Sequence, residues 1–448
     1  MTARATAAIV RTAGVGILTA VVFVTLLGIG PLSVVARAVE IERVVSPLGI
    51  EAWLVEDETV PLVAMSFVFV GGAAQDPAER PGVANMLSGL LDEGAADLDS
   101  KAFQAALDEF SIDLSFDASR DGFAGSLKTL VENRDQAARL LRLALTEARF
   151  DVEPVERIRA QIVAGIRSDE FDPDSIAGEA LIKAAFPDHP YGRPVEGTRD
   201  TVAAITVDDL RTFHRRTIAR DNLRIAVVGA IDAASLARLL DDVFGSLPAK
   251  ADLTPVPDIE PASSERVDVV MNIPQTVLSL AGRGITRSDP DFIPASVATL
   301  ILGGGGLSSR LYEEVREKRG LAYSVGLGLR AYDHAGLVVG GTKTRADQAD
   351  NVIALIEAEI ARFASEGPTE EELAKAKGYL IGSYALRFTT STRIAGQLVA
   401  IQLDDLGIDY IDRRKDLIAA VTVEDVRRVA KRLFSGDMIV VRVGQAAS

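Results

Sequence analysis

The sequence contains no cysteine and very little histidine. Without cysteine the protein forms no disulfide, thiolate metal site, cysteine nucleophile or lipoprotein anchor. The three histidines are His189, His214 and His334, and no two of them are four residues apart, so no helix offers a histidine pair to a metal. We expect His189 in a structural turn, His214 on a helix face and His334 in a loop.

Positive charge is also scarce. The 48 Lys and Arg residues are outnumbered by 64 Asp and Glu residues, which gives a formal net charge of -16. This balance argues against nucleic acid as a partner, because phosphate contacts need clustered Lys and Arg. It also disfavours adhesion to anionic lipid and modestly favours basic peptides over acidic ones.

The N-terminus has the pattern of an export signal. Arg4 and Arg11 precede an apolar run over residues 13–35, and Ala36-Arg37-Ala38 supplies a small-x-small cleavage pattern. The run is long for a cleaved signal, so an uncleaved membrane anchor is the alternative. In either case we expect the rest of the chain to be exported, with membrane contact only if the segment is retained.

The remaining chain is an internal duplication. AAITVDDLR at 203–211 recurs as AAVTVEDVR at 419–427, and each copy leads through a basic stretch into an apolar run that ends in glycine. A Pro-, Ala- and Asp-rich segment separates the copies. The predicted organisation is a signal or anchor at 1–38, an N-terminal domain at 39–247, a linker at 248–264 and a C-terminal domain at 265–448.

Each copy combines period-2 and period-3.6 patterns. Strands are predicted at 50–55 and 63–69, and helices at 81–91, 133–147 and 155–167. These patterns indicate an α+β fold of two homologous domains, each a mainly antiparallel sheet covered by helices on one face.

Two stretches identify a family resemblance. HPYGRPVEGTRDTVAAITVDDLRTFH at 189–214 and GGGGLSSRLYEEVREKRGLAYSV at 303–325 resemble the pitrilysin/insulysin group of inverted zinc peptidases, which includes mitochondrial processing peptidase. The resemblance covers nearly everything after residue 40. In that family the two histidines of a His-x-x-Glu-His helix and a downstream glutamate bind one zinc ion. The glutamate between the histidines acts as general base on the zinc-bound water.

This chain departs from the family at every one of those positions. Asn85, Ser88 and Gly89 stand where the first His, the Glu and the second His would be. Ala164 and Gly165 stand where the downstream glutamate pair would be. None of these side chains can replace its counterpart, so the resemblance implies no zinc in this chain. Asp92 and Glu93 are a poor substitute, because adjacent residues point apart on a helix.

The resemblance also implies a retained function for Arg316 and Tyr323. In the family an Arg and a Tyr at this spacing come from the zinc-less half and reach into the active site. Gly304 and Gly305, in the glycine run that precedes them, are the predicted substrate contacts. The structural alternatives are a surface ion pair of Arg316 with Glu313, Glu314 or Glu317, and a half-buried strand position for Tyr323.

Peptide binding to a sheet edge is a further family feature, and residues 114–116 and their neighbours are a candidate edge, with a plain structural strand as the default. The expected function is that of a non-catalytic subunit in a periplasmic zinc peptidase. A homologous zinc-binding subunit would be the partner, with the zinc expected there, and unfolded or short peptides would be the substrates. The alternative is a structural or peptide-binding scaffold with no role in proteolysis, and an independent peptidase with an unusual site is the third reading.

Overall fold

The structure is a computed structural model that describes residues 40–445. The predicted signal or anchor at 1–38 lies outside the described residues. Among residues 40–445, no helix has the length and apolar character needed to cross a membrane.

The N-terminal half is built on a six-stranded sheet. Its strands are β1 (Glu42–Val45), β2 (Glu51–Glu56), β3 (Leu62–Val70), β4 (Asp113–Ala118), β5 (Gly122–Leu130) and β6 (Leu223–Gly229). Their spatial order is β1-β2-β6-β3-β5-β4, and all neighbours are antiparallel except β2 and β6. In β3, Val63, Met65, Phe67 and Phe69 are all buried, because alternate side chains of a strand share one face.

The helices of the N-terminal half, with the exception of the fifth, belong to this sheet's side of the molecule. They are α1 (Val83–Ser88), α2 (Ser100–Glu109), α3 (Arg134–Thr146), α4 (Val152–Asp169), α5 (Pro173–Ala185), α6 (Arg199–Ala204), α7 (Val207–Thr217) and α8 (Ala233–Phe244). Short 3-10 turns occur at Ala73–Gln75, Val131–Asn133 and Pro190–Gly192.

The C-terminal half repeats the same sheet without the first strand. Its strands are β7 (Arg266–Val270), β8 (Gln275–Arg283), β9 (Ala322–Ala331), β10 (Gly336–Arg345) and β11 (Ile439–Gly444). The order β7-β11-β8-β10-β9 matches β2-β6-β3-β5-β4, and again only the first pair is parallel.

The helices of this half include two irregular turns. The regular helices are α9 (Phe292–Thr299), α10 (Arg310–Tyr312), α11 (Ala349–Glu366), α12 (Glu370–Gly382), α13 (Ser391–Leu403), α14 (Tyr410–Ala420) and α15 (Val423–Phe434). Leu300–Gly304 and Glu313–Glu317 are π-helical turns, and 3-10 turns occur at Gly306–Ser308, Ala346–Gln348 and Ser383–Arg387.

The sequence repeat coincides with a repeated helix start. Thr206 and Asp209 form a capping box at α7, and Thr422 and Asp425 form the same box at α15. Each threonine accepts from the backbone of the aspartate, while the aspartate carboxylate accepts from the backbone of the threonine. Helices α7 and α15 then lead into the central strands β6 and β11.

The two halves exchange a helix. Helix α5 of the N-terminal half packs on β8 and β11, and α13 of the C-terminal half packs on β3 and β6. Leu181 of α5 lies in one hydrophobic cluster with Val277 and Val441. Gln402 of α13 donates to the carbonyl of Ile225 at 2.8 Å. Each sheet is therefore partly covered on its second face by the other half.

The segment predicted as a linker contains neither helix nor strand and contacts both halves. The Gln75 side-chain amide donates to the carbonyl of Thr254 at 2.9 Å and accepts from its N–H at 2.7 Å. On the other side, the Ile259 N–H donates to the carbonyl of His334 at 2.9 Å. The connection is thus held to both halves by hydrogen bonds to its backbone.

The predicted fold class is confirmed, with two sheets that are mainly antiparallel and carry helices. The predicted strands at 50–55 and 63–69 correspond to β2 and β3, and the helices at 133–147 and 155–167 correspond to α3 and α4. The helix predicted at 81–91 was too long. Helix α1 begins after Gly82, which has a φ of 103°, and ends at Ser88, before Gly89.

Candidate functional site

Helix α1 contains the positions where the resemblance places the zinc motif. The Ser88 hydroxyl donates to the carbonyl of Asn85 at 2.8 Å, so it is used within its own helix. A Cβ at Gly89 would lie 3.2 Å from Cγ2 of Ile158 on α4, which leaves little room for a larger side chain. These residues give the helix packing surface but no metal ligand.

The downstream positions are equally unsuited to a metal. Ala164 and Gly165 lie on an exposed stretch of α4 and carry no donor atom in their side chains. Within residues 40–445, no group of three or more His, Cys, Asp or Glu residues could hold a metal ion. The side chains at α1 and α4 therefore do not fit zinc.

A buried carboxyl group fixes the start of α1. The two oxygens of Asp76 accept from the N–H groups of Gly82 and Ala84 at 2.8 and 2.9 Å. Burial raises the pKa of Asp76 to about 7, even though these hydrogen bonds act in the opposite direction. Sequence reasoning missed this residue, because its role depends on the burial of a loop carboxyl.

The three histidines occupy the predicted structural positions. His189 precedes the turn Pro190–Gly192, and its Nδ1 accepts from the N–H of Tyr191 at 3.1 Å. His214 is on α7, where burial lowers its pKa. His334 lies between β9 and β10, with Nδ1 2.9 Å from a carboxylate oxygen of Asp258.

Asp92 and Glu93 are held in structural contacts as well. Glu93 accepts from Arg157 at 2.5 Å and also from the hydroxyl of Ser100. Asp92 accepts from the side-chain amide of Gln104 at 3.2 Å, and burial raises its pKa. The two carboxylates thus have different partners.

The glycine run begins within a helical turn. Gly303 and Gly304 end the π-helical turn Leu300–Gly304, which the N–H of Gly305 closes by donating to the Leu300 carbonyl at 2.8 Å. A Cβ at Gly303 would lie 2.6 Å from the backbone nitrogen of Leu327. The close backbone approach at Gly303 is therefore made to β9. Gly304 is exposed, so its contact with substrate stays a prediction together with that of Gly305.

Arg310 has a structural role in the same stretch. Its guanidinium donates to Glu372 at 2.6 Å and to the carbonyl of Gly367 at 3.0 Å, and it lies 4.9 Å from the ring centre of Phe363. These contacts attach α10 to α11 and α12.

Arg316 is held by aromatic rings. It lies on the π-helical turn Glu313–Glu317, with its Cζ 4.8 Å from the ring centre of Tyr312 and 5.0 Å from that of Tyr323. Both distances fall within the range of cation–π attraction. The sequence placed Arg316 and Tyr323 seven residues apart, and the structure brings their side chains into contact.

The ion pair considered for Arg316 is absent from the described part of the chain. Glu314 contacts Lys318 and Arg319 at 2.6 Å each, and Glu313 contacts Lys318 at 3.1 Å. No carboxylate of the described residues lies within 4.0 Å of the Arg316 guanidinium. The surface ion-pair alternative is therefore wrong, and the guanidinium donors are available to a ligand.

Tyr323 is not a half-buried strand residue, because 83% of its surface is exposed. It lies on β9, the edge strand of its sheet, where the register with β10 shifts between Thr342 and Thr344. Thr342 is opposite Val325 and Thr344 is opposite Ala322, so Tyr323 and Ser324 form an irregularity of the bulge type. Bulges redirect side chains, which explains why both of these residues are exposed.

Tyr312 completes this arrangement and was missed from the sequence. Its ring is buried beneath Arg316, and its hydroxyl has no hydrogen-bond partner among the described residues. A Tyr four residues before an Arg looks like an ordinary helical neighbour, and the pattern gave no sign of the stacking. We refer to Tyr312, Arg316 and Tyr323 as the Tyr-Arg-Tyr stack.

The predicted edge segment 114–116 falls within β4. Among the described strands, β4 pairs only with β5, so one of its edges is open. Its side chains alternate, with Leu114 buried and Asp113 and Ser115 exposed. An open edge is compatible with a plain structural strand and with backbone addition of a peptide, so peptide binding here stays a prediction.

Comparison with known proteins gives two consistent family matches. Residues 52–199 match the family described as insulinase (peptidase family M16). Residues 204–380 match the family described as peptidase M16 inactive domain.

Relatives extend the similarity over most of the chain. A non-peptidase homolog, YmxG, of Helicobacter pylori is 27% identical over 336 residues, which are 75% of this chain and 78% of the relative. An uncharacterised zinc protease of Mycobacterium leprae is 29% identical over 410 residues, 89% of this chain and 91% of the relative. The crystal structure of a peptidase M16 inactive domain from Pseudomonas fluorescens has a TM-score of 0.86 at 29% identity, covering 91% of this chain and 98% of that chain.

Proposed function

Because this chain belongs to the insulinase family of peptidases, peptidase family M16, we propose that it is the non-catalytic subunit of a two-subunit zinc peptidase in the periplasm. The similarity to an inactive domain and to a non-peptidase homolog supports a member without catalytic activity of its own. The partner would be a homologous chain with an intact His-x-x-Glu-His helix. The zinc held there would supply the activated water.

The observation that carries this proposal is the Tyr-Arg-Tyr stack in a chain whose α1 and α4 positions do not fit zinc. A scaffold protein has no need of an exposed tyrosine at a strand irregularity, stacked on an arginine without a carboxylate partner in the described residues. Both groups offer hydrogen-bond donors at the protein surface, as an assisting subunit requires.

The chemistry assigned to this chain is donation of hydrogen bonds to a bound peptide. The Tyr323 hydroxyl would donate to the oxyanion that develops on the scissile carbonyl. The planar guanidinium of Arg316 would hold a peptide carbonyl or carboxylate with two parallel N–H groups. Removal of one oxyanion donor typically lowers the rate by about a hundredfold or more.

The proposed substrates are unfolded or short peptides that the two subunits enclose. An extended peptide can add its backbone to an open strand edge such as β4, which gives affinity with little sequence selectivity. Gly304 and Gly305 are assigned to the substrate side of the glycine segment, where the lack of side chains leaves the backbone accessible.

The test is purification of the C-terminally tagged protein from its native cell envelope at low salt. We expect a homologous His-x-x-Glu-His chain to co-elute in equal amount, with one zinc per pair and cleavage of an unstructured peptide. A protein that elutes alone, metal-free and inert would contradict the proposal and favour the scaffold. Zinc bound to the isolated chain would favour an independent peptidase instead.

A further inference from the structure

A second group of arginines lies where α9, α14 and the connection between α12 and α13 meet. Arg287 precedes α9, Arg387 ends the turn Ser383–Arg387, and Arg414 is on α14. They surround Tyr384 and Tyr410, and sequence reasoning did not single out any of them. In a chain with a net charge of -16, such a concentration of positive charge requires an explanation.

Only one of these arginines has a carboxylate partner in the described part of the chain. Arg287 lies 3.3 Å from Asp404, donates to the Tyr410 hydroxyl at 2.8 Å and lies 4.2 Å from the ring centre of Phe292. Its charge is thus compensated by a carboxylate, and its guanidinium is fixed by Tyr410 and Phe292. Arg287 therefore has a structural role.

Arg387 and Arg414 share one aromatic ring instead. Their Cζ atoms lie 5.9 and 4.0 Å from the ring centre of Tyr384, and no carboxylate of the described residues lies within 4.0 Å of either guanidinium. Arg414 donates one N–H to the carbonyl of Leu380 at 3.0 Å and also interacts with the hydroxyl of Tyr410. A guanidinium has five N–H donors, so most donors of this pair are unused.

This arrangement costs free energy in the absence of a ligand. The two guanidinium groups repel each other, and burial lowers the pKa of Arg414. A partly buried charge is normally compensated by an opposite charge. The planar fork of a guanidinium matches the geometry of a carboxylate, which accepts two parallel N–H groups, and Arg387 and Arg414 both place such a fork near the ring of Tyr384.

We propose that Arg387 and Arg414 bind the free C-terminal carboxylate of an extended peptide. Leu386, adjacent to Arg387, is 68% exposed and gives the apolar side chain of the last peptide residue a surface beside the charge. The inference rests on the proposed function in one respect, namely that the anion is carried by a peptide. Such a site would give the subunit a preference for peptides whose C-terminal carboxylate is free.

The test is the affinity of the purified full-length chain, without its partner, for short N-terminally labelled peptides by fluorescence anisotropy. The parent peptide lacks Asp and Glu and ends in leucine with a free carboxylate, and a second peptide ends in a carboxamide. We expect the carboxamide to bind at least about tenfold more weakly, because a charged hydrogen-bond acceptor is lost. Arg387→Gln should make the two peptides bind equally.

Arg413→Gln is the matched control. Arg413 is the neighbour of Arg414 on α14 but already pairs with Asp409 at 2.7 Å, so its loss should leave the preference intact. Arg387 is exposed, and its replacement should not disturb folding, which circular dichroism checks. Arg414→Gln also changes the packing on Tyr384, so the conclusion depends on Arg387.

Three results would overturn the inference. They are equal binding of the free acid and the carboxamide, an unchanged preference in Arg387→Gln, and full recovery of affinity by a carboxamide peptide with one internal Glu. The last result would assign the site to side-chain carboxylates. The assay needs neither zinc nor partner, so its failure is distinct from loss of cleavage in Arg316 or Tyr323 variants.

Discussion

At the residue scale, the position of the Arg316 guanidinium depends on two rings, one buried and one exposed. Each cation–π contact contributes about 0.5–2 kcal/mol, depending on how far it is desolvated. Tyr312 forms the buried side and thereby limits the orientations of a side chain that would otherwise be mobile. Tyr312 is a positioning residue in this account, since its own hydroxyl is buried and has no hydrogen-bond partner within residues 40–445.

Replacement of Tyr312 tests this role. Tyr312→Phe keeps the ring and removes a buried hydroxyl that has no partner among the described residues. The complex of this chain with its zinc-binding partner subunit should therefore retain kcat/KM within about twofold. Tyr312→Leu removes the ring, and kcat/KM should fall about fivefold to thirtyfold, since each 1.36 kcal/mol of positioning energy is tenfold in rate. Steady-state kinetics of the pair on one peptide measures both.

A double-mutant comparison separates positioning from loss of stability. In an Arg316→Ala background, Tyr312→Leu should add little further loss, because the ring then has no guanidinium to hold. A loss of equal size in both backgrounds would show that Tyr312 acts only through the fold.

The sequence was informative here only in part. The spacing of Arg316 and Tyr323 in a recognisable stretch predicted the pair. The stacking was not predictable, because it depends on a π-helical turn and a strand irregularity that hydrophobic periodicity does not encode.

At the scale of elements, the start of α1 depends on a titrating carboxyl group. Asp76 has a pKa of about 7 in the fold, raised by burial from its ordinary value of 3.8. The fold therefore favours the protonated form. The stabilisation of the fold by protonated Asp76 is complete below about pH 3.8 and is lost as the pH rises through about 7.

Asp76→Asn should therefore flatten the pH dependence of stability. Between pH 5 and pH 8 the free energy of unfolding of the parent should fall by about 2 kcal/mol more than that of the variant. The amide oxygen can still accept one of the two N–H groups, so the variant should fold. Urea unfolding at both pH values, followed by Trp53 fluorescence, measures the difference.

Asp232→Asn is the control for this comparison. Asp232 caps α8 by accepting from the N–H of Ser235 at 2.8 Å, and this hydrogen bond lowers its pKa, so it titrates below the tested range. Its variant should be less stable at both pH values by a similar amount. An Asp76→Asn protein as sensitive to pH as the parent would contradict the assignment.

The limits of helix α1 show where sequence reasoning fails at this scale. Apolar periodicity continues to residue 91, whereas the helix ends at Ser88, because Gly89 packs against Ile158 and the chain turns there. Capping was easier to anticipate, since Thr-x-x-Asp appears in both copies of the repeat.

At the scale of the whole molecule, the exchanged helices join two homologous domains into one structure. Helix α13 covers β3 and β6 of the other half, and Leu398 of this helix is fully buried. The single tryptophan, Trp53, lies on β2 of the same N-terminal sheet. It therefore reports on the half to which α13 is donated.

The exchange predicts cooperative unfolding of both halves. Trp53 fluorescence and far-UV circular dichroism should give coincident urea transitions. Leu398→Ala, a change in the C-terminal half, should lower the free energy of unfolding read by Trp53 by about 2–5 kcal/mol. The partly exposed Leu417 on α14 is the control, and its replacement by Ala should have little effect.

Two separate transitions, or a Leu398→Ala effect seen only by circular dichroism, would show that the halves are independent. The sequence predicted the duplication but not the exchange. The apolar periodicity of α5 and α13 would be the same whichever sheet they contact. The sequence pattern therefore does not specify which of the two sheets each helix packs on.

The most direct test of the central claim is the cleavage rate of one unstructured peptide by the purified pair when this chain carries Tyr323→Phe. Tyr379, also exposed and located on α12, provides the matched control as Tyr379→Phe. The account predicts that Tyr323→Phe lowers kcat by about a hundredfold or more, with the zinc content of the pair unchanged and Tyr379→Phe fully active. A Tyr323→Phe pair that cleaves at the parent rate would contradict the claim that this chain assists catalysis in its partner.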